Sequence, residues 1–461
     1  MNHRFFMSCF LIVLAISISE VYSLDLRQAI NLGVKNNLNL EFAKRENNLA
    51  FKNMRMKYRE YLPSVSLGYS VSDTVTYYAD DTHSRQISAG LKQMIYDKGV
   101  LRASIKIEKE QLELEAEKNE HDRESFILSI IDNYKNVLEL EKELEITRQA
   151  RAVVAQQMEI GLLERNIGEI TQFDYIELEL ALADMEIQIS KISHKLTQSY
   201  LDFATTMNMR SEEIPSLVGE LNYYYNGCLS GSEEYFAELA LSNSLELKEI
   251  ELAKHKAESE YSILKKKYLP AVSISCNAAI SDDSFPLTEK SFSVVLNLDF
   301  DTPGLPGSIS AGLGKNSYDQ RFRSFSADAD ILGNSEMIYS AAKGKVAYDR
   351  ARWNYDKYAR ECRDQVKERY RSILVLMENI DIARKKIEIE EKKVSIEELK
   401  VQLGEEKRID YVESQIELAQ SRIKVFQAIS DLYSNEIGLM ILCGLEGAEL
   451  SGKKLIQGSG L

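Results

Sequence analysis

The sequence predicts a mainly α protein with a small β part, in which long helical hairpins occur twice. Three observations carry that prediction. Gly168-Glu-Ile-Thr-Gln-Phe-Asp174-Tyr-Ile-Glu177 returns 236 residues later as Gly404-Glu-Glu-Lys-Arg-Ile-Asp410-Tyr-Val-Glu413, and Tyr61-Leu-Pro63 returns 207 residues later as Tyr268-Leu-Pro270. Two stretches of 68 and 67 residues contain no proline and only one glycine each. Each Tyr-Leu-Pro stop is followed by segments of period-two alternation. Both halves keep one order: a helical pattern, the stop, alternating segments, a longer helical pattern, then the glycine turn. Duplication on this scale decides an architecture before any single residue does.

Residues 1–23 read as an export signal. His3 and Arg4 precede an apolar run from Phe5 to Ile18, and Val21-Tyr22-Ser23 occupies the cleavage positions, so the mature chain is expected to begin at Leu24. A run of about 14 apolar residues falls short of the roughly 20 that span a bilayer. Cys9 lies inside that run and is a poor lipidation site. The formal net charge of −15 disfavours nucleic acid and anionic lipid heads as partners. Cys228, Cys276, Cys362 and Cys443 are scattered without metal-ligand spacing, so neither a zinc site nor a dense disulfide framework is expected, and no cofactor is expected.

The domains follow from the duplication: a first repeat at 24–234, a second at 235–444 and a C-terminal tail at 445–461. The first repeat opens with a helical stretch at 29–62. The segment between Gly99 and Gly168 would be roughly 100 Å long if helical throughout, and a shorter helix at about 169–209 follows its turn. The second repeat offers 235–269, Met337–Leu403 and 405–443 in the same order. Two short helices stacked end to end along one long helix account for these lengths. Val366, Ile373, Ile380, Ile387, Val394 and Val401 recur at strict seven-residue spacing, and Ile382, Ile389, Ile396 and Leu403 form a second row about 200° round the helix. Two apolar stripes on opposite flanks imply neighbours on both sides, as in a closed ring; an ordinary bundle with a buried core is the other reading.

Four strands are expected. Val65, Leu67, Tyr69 and Val71 alternate with serines and Gly68; Ile87, Ala89 and Leu91 alternate with Ser88 and Gly90. Val272, Ile274, Cys276, Ala278 and Ile280 make the third apolar row, and Phe292, Val294, Leu296, Leu298 and Phe300 the fourth. Segments of about 9–11 residues, apolar on one face and small or polar on the other, are what a transmembrane barrel requires. Four strands cannot close a barrel, and an open edge in lipid leaves backbone groups unsatisfied. Either the strands belong to a soluble sandwich or several chains pool theirs. Residues 301–336, which follow the fourth strand without clear periodicity, are read as an inserted loop.

With Tyr96-Asp97-Lys98-Gly99 leading into the long helix and the Gly-x5-Asp turn at Gly168/Asp174 and Gly404/Asp410, the chain resembles the TolC family of outer-membrane efflux channels over nearly its whole mature length. The resemblance implies a homotrimer in which twelve pooled strands form one outer-membrane β-barrel and the helices form a periplasmic α-barrel. It implies an acidic pore constriction at Asp410 and Glu413, with Asp174 and Glu177 as their counterparts. It also implies hairpin tips, Gly168, Glu169, Gly404 and Glu405, that dock a periplasmic adaptor serving an inner-membrane pump. A tyrosine–arginine latch common in the family is absent, since Val401 and Glu406 stand at its positions. On physical grounds the same acids have a second reading, because Glu169, Glu405 and Glu406 open a helix and Asp174 and Asp410 can cap one.

The function implied is a passive exit channel in the outer membrane, not an enzyme, for drugs or for proteins of type I secretion. A periplasmic coiled-coil adaptor is the alternative, and barrel-type strands argue against it. The five histidines show no HxxxH or HxE spacing, and no Gly-x-Ser-x-Gly or phosphate loop occurs.

Overall fold

The computed structural model describes residues 24–75, 77, 82–210, 216–227, 231–316, 318, 320–445 and 455–457. Residues 1–23, read above as an export signal, most of the tail and Cys228 lie outside the described residues. The helices are α1 (Leu26–Asn36), α2 (Leu38–Lys57), α3 (Val100–Ile167), α4 (Gln172–Thr206), α5 (Glu233–Asn243), α6 (Leu245–Lys265), α7 (Glu336–Gln402) and α8 (Arg408–Leu442). The strands are β1 (Ser64–Thr74), β2 (Thr82–Tyr96), β3 (Glu220–Leu221), β4 (Ala271–Asp282), β5 (Glu289–Phe300), β6 (Gly307–Lys315), β7 (Arg321–Ala329) and β8 (Ile456–Gln457). No helix among the described residues is long and apolar enough to cross a membrane.

The stretches before the two Tyr-Leu-Pro stops, expected as single helices, each break once. Asn37 and Ser244 leave the helical region, with ψ of 99° and 119°. They occupy the same place in the two repeats. Each stretch then tightens into a 3-10 turn, Tyr58–Tyr61 and Lys266–Tyr268, before proline forces the chain into a strand.

The chain divides into two units. One holds residues Ala43–Lys118 and Leu245–Arg360 and contains the whole six-stranded antiparallel sheet, in the order β1-β2-β4-β5-β6-β7. Its register is continuous. Val65 faces Leu91, Leu91 faces Cys276, Cys276 faces Val294, Val294 faces Leu313 and Leu313 faces Arg323. The apolar rows therefore share one face, while Ser66, Gly90, Asn277 and Ser293 share the other. The apolar face is uncovered, with Leu67 82% and Val65 70% exposed.

The expectation of a loop at 301–336 is corrected: this segment supplies β6 and β7, a hairpin whose first strand pairs along β5 from Phe292 to Phe300. Its face continuous with the apolar rows is mixed, with Ile309, Leu313 and Phe325 beside Gly307, Ala311, Ala327, Lys315, Arg321 and Arg323, and Phe322 stands on the opposite face over Gly314. Hydropathy contrast is therefore too low to show the period of two. At the hairpin's base, Gly304 and Gly333 exchange backbone hydrogen bonds with residues across it, and Asp330 donates to the Pro306 carbonyl. Lys98, nearly buried, donates to Asp301 at 2.6 Å and fastens the β2–α3 turn to the end of β5.

In this unit each helix follows the order of its strand. Lys57 on α2 pairs with Glu108 on α3, Glu117 on α3 with Lys248 on α6, and Tyr261 on α6 stacks on Tyr348 of α7. The helix order α2-α3-α6-α7 thus repeats the strand order.

The other unit holds the described residues of Met1–Phe42, Asn119–Ser244 and Glu361–Leu461. Here the ends of short helices meet. Asn36 at the end of α1 donates to Met207 at the end of α4, and Cys443 after α8 donates to Phe236 in α5. Leu24 lies buried in a parallel bridge to Leu217, closed by the Tyr134 hydroxyl, which bonds the Leu24 and Val218 carbonyls. Val366, Ile373, Ile380, Ile387 and Val394 are buried, as their heptad spacing requires.

Because the sheet register puts Leu67 and Leu296 on one face and Ser66 and Ser275 on the other, arginine substitutions separate the two. Leu67→Arg or Leu296→Arg is expected to impair membrane assembly, by roughly 2–4 kcal/mol for a charge on the lipid face near mid-depth. Ser66→Arg or Ser275→Arg should assemble normally, as read by the yield of membrane-extracted protein.

Candidate functional site

The candidate site is built where α3 turns into α4 and α7 turns into α8. Both turns are Schellman motifs. The Gly168 and Glu169 amides bond back to Arg165 and Glu164, and those of Gly404 and Glu405 to Val401 and Lys400. Gly168 and Gly404 have φ of +82° and +74°, a left-handed conformation that costs glycine nothing. Both glycines, Glu169 and Glu405 are exposed at the extremity of their hairpins.

Beneath them α3, α4 and α8 meet around Ala150, Val154, Leu178, Met185 and Val412. Gly161, the glycine inside the first long helix, makes room for this contact: a Cβ there would stand 2.7 Å from Leu178 Cδ1. Above the core lies a cleft of ≈ 660 Å³, bounded by Glu164, Thr171, Asp174, Gly404 and Arg408 among others.

The four carboxylates named from the sequence divide into different states. Asp174 is engaged. Its carboxylate accepts from the Thr171 amide at 3.0 Å and the Thr171 hydroxyl at 2.5 Å, while its own amide donates to Thr171 Oγ1, completing a capping box. Lys407 reaches across from the other turn and donates to Asp174 Oδ1 at 2.9 Å. The Thr171 hydroxyl first, then the Lys407 ammonium and the Thr171 amide, hold the Asp174 pKa down to about 2. Asp410 occupies the matching position in the second repeat, yet Lys407 stands where Thr171 would be, and α8 begins without a side-chain cap. Asp410 and Glu413 make no side-chain hydrogen bond or ion pair with the described residues. Glu413 is exposed, and Asp410 and Glu177 are half-buried.

Sequence reasoning counted acids and overlooked the bases that bind them. Arg408 forks onto Glu164 with Nε and Nη2 and also reaches Gln157, joining the start of α8 to the end of α3. Lys400 pairs with Glu406 at 3.1 Å, and Arg165 lies 4.4 Å above the Tyr175 ring. Lys407 is held in its charged form by Asp174 above all, with Glu177 and Asp410 adding to the effect. The adjacent Lys407-Arg408 pair was the available sign. The charge of Glu406 is thus met locally, while Glu169, Glu177, Glu405, Asp410 and Glu413 make no side-chain hydrogen bond or ion pair with the described residues.

A carboxylate whose folded-state pKa is depressed stabilises the fold above its unfolded value and loses that contribution as pH falls through the folded one. For Asp174 the contribution is complete above pH 3.8 and fades toward about 2. Asp174→Asn should therefore lower the melting temperature at pH 7, and the gap to the native protein should narrow as pH falls through that window. Thr171→Ala should cost about 1 kcal/mol as a lost cap. Asp410→Asn, which breaks no such bond, should leave the melt unchanged at pH 7.

Residues 29–208 match the family model for outer membrane efflux proteins. No curated protein sequence matches the chain. Among solved structures the chain is similar to the CusC channel, with a TM-score of 0.74, 12% identity and coverage of 92% of this chain and 93% of that one. It is similar to VceC of Vibrio cholerae, an outer membrane protein (TM-score 0.72, 14% identity, 91% and 96% covered). It also resembles the open state of the MtrE outer membrane channel of Neisseria gonorrhoeae (TM-score 0.71, 12% identity, 91% and 89% covered). The family model covers most of the first repeat, the second carries the same helices, stop and glycine turn in the same order, and the chain has the fold of these outer-membrane channels.

Proposed function

We propose that this protein is the outer-membrane exit channel of a tripartite export system, working as a homotrimer that passively conducts drugs or secreted proteins. A periplasmic adaptor docked at the helix tips would join it to an inner-membrane pump. The observation that carries the reading is a pair of apolar stripes left bare on a single chain. On α7 and the turn that ends it, Ile382, Ile389, Ile396 and Leu403 are 56, 66, 55 and 72% exposed. On α4, Phe173, Leu180 and Ile187 are 66, 61 and 51% exposed. Both rows repeat every seven residues and start at the tips, α7 running toward its tip and α4 away from it. Leu403 thus matches Phe173, Ile396 matches Leu180 and Ile389 matches Ile187, as in two antiparallel helices of neighbouring copies. Exposed apolar surface of this regularity marks an interface. A periplasmic adaptor accounts for the stripes but gives no use for a six-stranded sheet with a bare apolar face.

Within this reading Asp410 and Glu413 line the periplasmic mouth, and Glu177 stands a turn behind Asp174. Asp174 contributes less than the duplication suggests, because its charge is already met by Thr171 and Lys407. Gly168, Glu169, Gly404 and Glu405 form the adaptor-docking tips.

The detergent-corrected mass of the mature protein should be that of three subunits, and Ile389→Glu with Ile396→Glu should reduce it to one while far-UV circular dichroism is retained. A single-subunit mass for the unmodified protein would remove the channel reading.

Six carboxylates from three copies of Asp410 and Glu413 repel one another at close range, and a multivalent cation relieves that repulsion by bridging them. Bilayer recordings should show cation-selective conductance, blocked by trivalent cations from the periplasmic side. Asp410→Asn with Glu413→Gln should remove most of the block and lower the selectivity, with trimer yield unchanged. A block that survives the double substitution would place the constriction elsewhere.

A further inference from the structure

The family resemblance implies four barrel strands per chain, but this sheet has six. β6 and β7 are not an appendage beside the sheet. They continue the register of β5 and carry its alternation onward: Ile309, Ala311 and Leu313 stand on the apolar face with Ala327 and Phe325, while Ser308, Ser310 and Gly312 stand on the other with Asp328, Ser326 and Ser324. The two edges left open are β1 and β7, and every residue of both is exposed.

These edges suit each other. β1 runs from the helices toward a turn and β7 runs from a turn back toward the helices, so successive copies meet antiparallel. β1 is entered from α2 and β7 leads into α7, the two flanking helices of the order α2-α3-α6-α7. A seam between β7 and β1 therefore coincides with a seam between α7 and α2. A seam at β5 would strand two full-length strands outside the ring, with their backbone groups unpaired in lipid.

Resting on the trimeric-channel reading, we propose that β7 of each copy pairs with β1 of the next, Asp73 opposite Arg321 and Val65 opposite Ala329, so that three copies close an eighteen-stranded barrel. All nine residues of β7 then find partners. Leu67 faces Ala327, Tyr69 faces Phe325 and Val71 faces Arg323 on the apolar face, and Ser66, Gly68 and Ser70 face Asp328, Ser326 and Ser324 on the polar one. Asp73 and Arg321 share a face at the turn ends of the two edges, which sets opposite charges across the seam.

The geometry closes independently of those side chains. Following one hydrogen-bonded row within the chain from Val65 leads to Arg323, whereas the seam joins Arg323 to Val71 of the next copy. The stagger is six residues over six strands. At about 3.3 Å per residue and about 4.7 Å between strands this is a strand tilt of roughly 35°, a value found in membrane barrels. The backbone diameter is roughly 33 Å, against roughly 22 Å for twelve strands.

The test is disulfide trapping in outer membranes, using full-length protein with Cys228→Ser, Cys276→Ala, Cys362→Ala and Cys443→Ala. Leu67→Cys combined with Ala327→Cys should give covalent trimers on non-reducing gels, because facing residues of antiparallel strands lie within disulfide reach. Leu67→Cys combined with Leu298→Cys on β5 should remain monomeric. An intact trimer that yields no Leu67–Ala327 adduct, or yields the Leu67–Leu298 adduct instead, overturns this seam while leaving the channel reading standing. In the native cysteine background, Asp73→Arg and Arg321→Asp should each lower the yield of detergent-resistant trimer several-fold, and the two together should restore it. Additive loss in the double variant also overturns the seam.

Discussion

Backbone amides and carbonyls at the edge of a sheet have nowhere to go in hydrocarbon, and that constraint governs this molecule. Each unpaired group costs several kcal/mol there, so a sheet that crosses lipid must close on itself or be closed by copies. The sheet of this chain has two full-length open edges and a bare apolar face. It is stable as a membrane element only in company. The strand–helix–strand connections make the helices follow the strands, so the demand for neighbours passes directly to them.

The helices answer the same demand by different means. Where the sheet needs hydrogen bonds, the helices need apolar surface. One heptad row of α7 is consumed inside the chain, with Val366 and Ile380 fully buried, and a second row is left over. A helix with one buried row is satisfied by its own hairpin; a helix with two requires a ring. The tips use a third kind of interaction. Lys407 on Asp174 and Arg408 on Glu164 tie the first hairpin to the second by charge beside the two turns.

Much of this was legible in the sequence because it rests on periods. Seven-residue recurrence located the buried row of α7, and alternation located β1, β2, β4 and β5. The glycine turns were legible because only a left-handed residue fits there. What escaped was carried by contrast or by partners. β6 and β7 lay hidden because Lys315, Arg321 and Arg323 share a face with Ile309, Leu313 and Phe325 while Phe322 lies on the other, which blurs the period of two. The offset between repeats nevertheless recorded them: it grows from 207 at the Tyr-Leu-Pro stops to 236 at the glycine turns, and Gly307–Ala329 fills most of the difference. The inequality of Asp174 and Asp410 turned on a residue three positions upstream, threonine in one repeat and lysine in the other, and no periodicity reports that. The breaks at Asn37 and Ser244 fall in short polar runs, Lys35-Asn36-Asn37 and Ser242-Asn243-Ser244, too brief to interrupt the reading as one helix.

The extra hairpin also bears on how a ring of strands joins a ring of helices. Twelve helices packed at about 9 Å have a circumference of roughly 110 Å. Twelve tilted strands, each occupying about 5.7 Å of the rim, reach only roughly 70 Å, so a twelve-stranded barrel must draw the helices inward where the two meet. Eighteen strands reach roughly 105 Å. With β6 and β7 in the wall, the two rims would be nearly equal in length, and Asp97–Gly99 and Asp330–Ser335 link strand to helix within a few residues. On that count a barrel of eighteen strands would meet the helices that border it without drawing them inward.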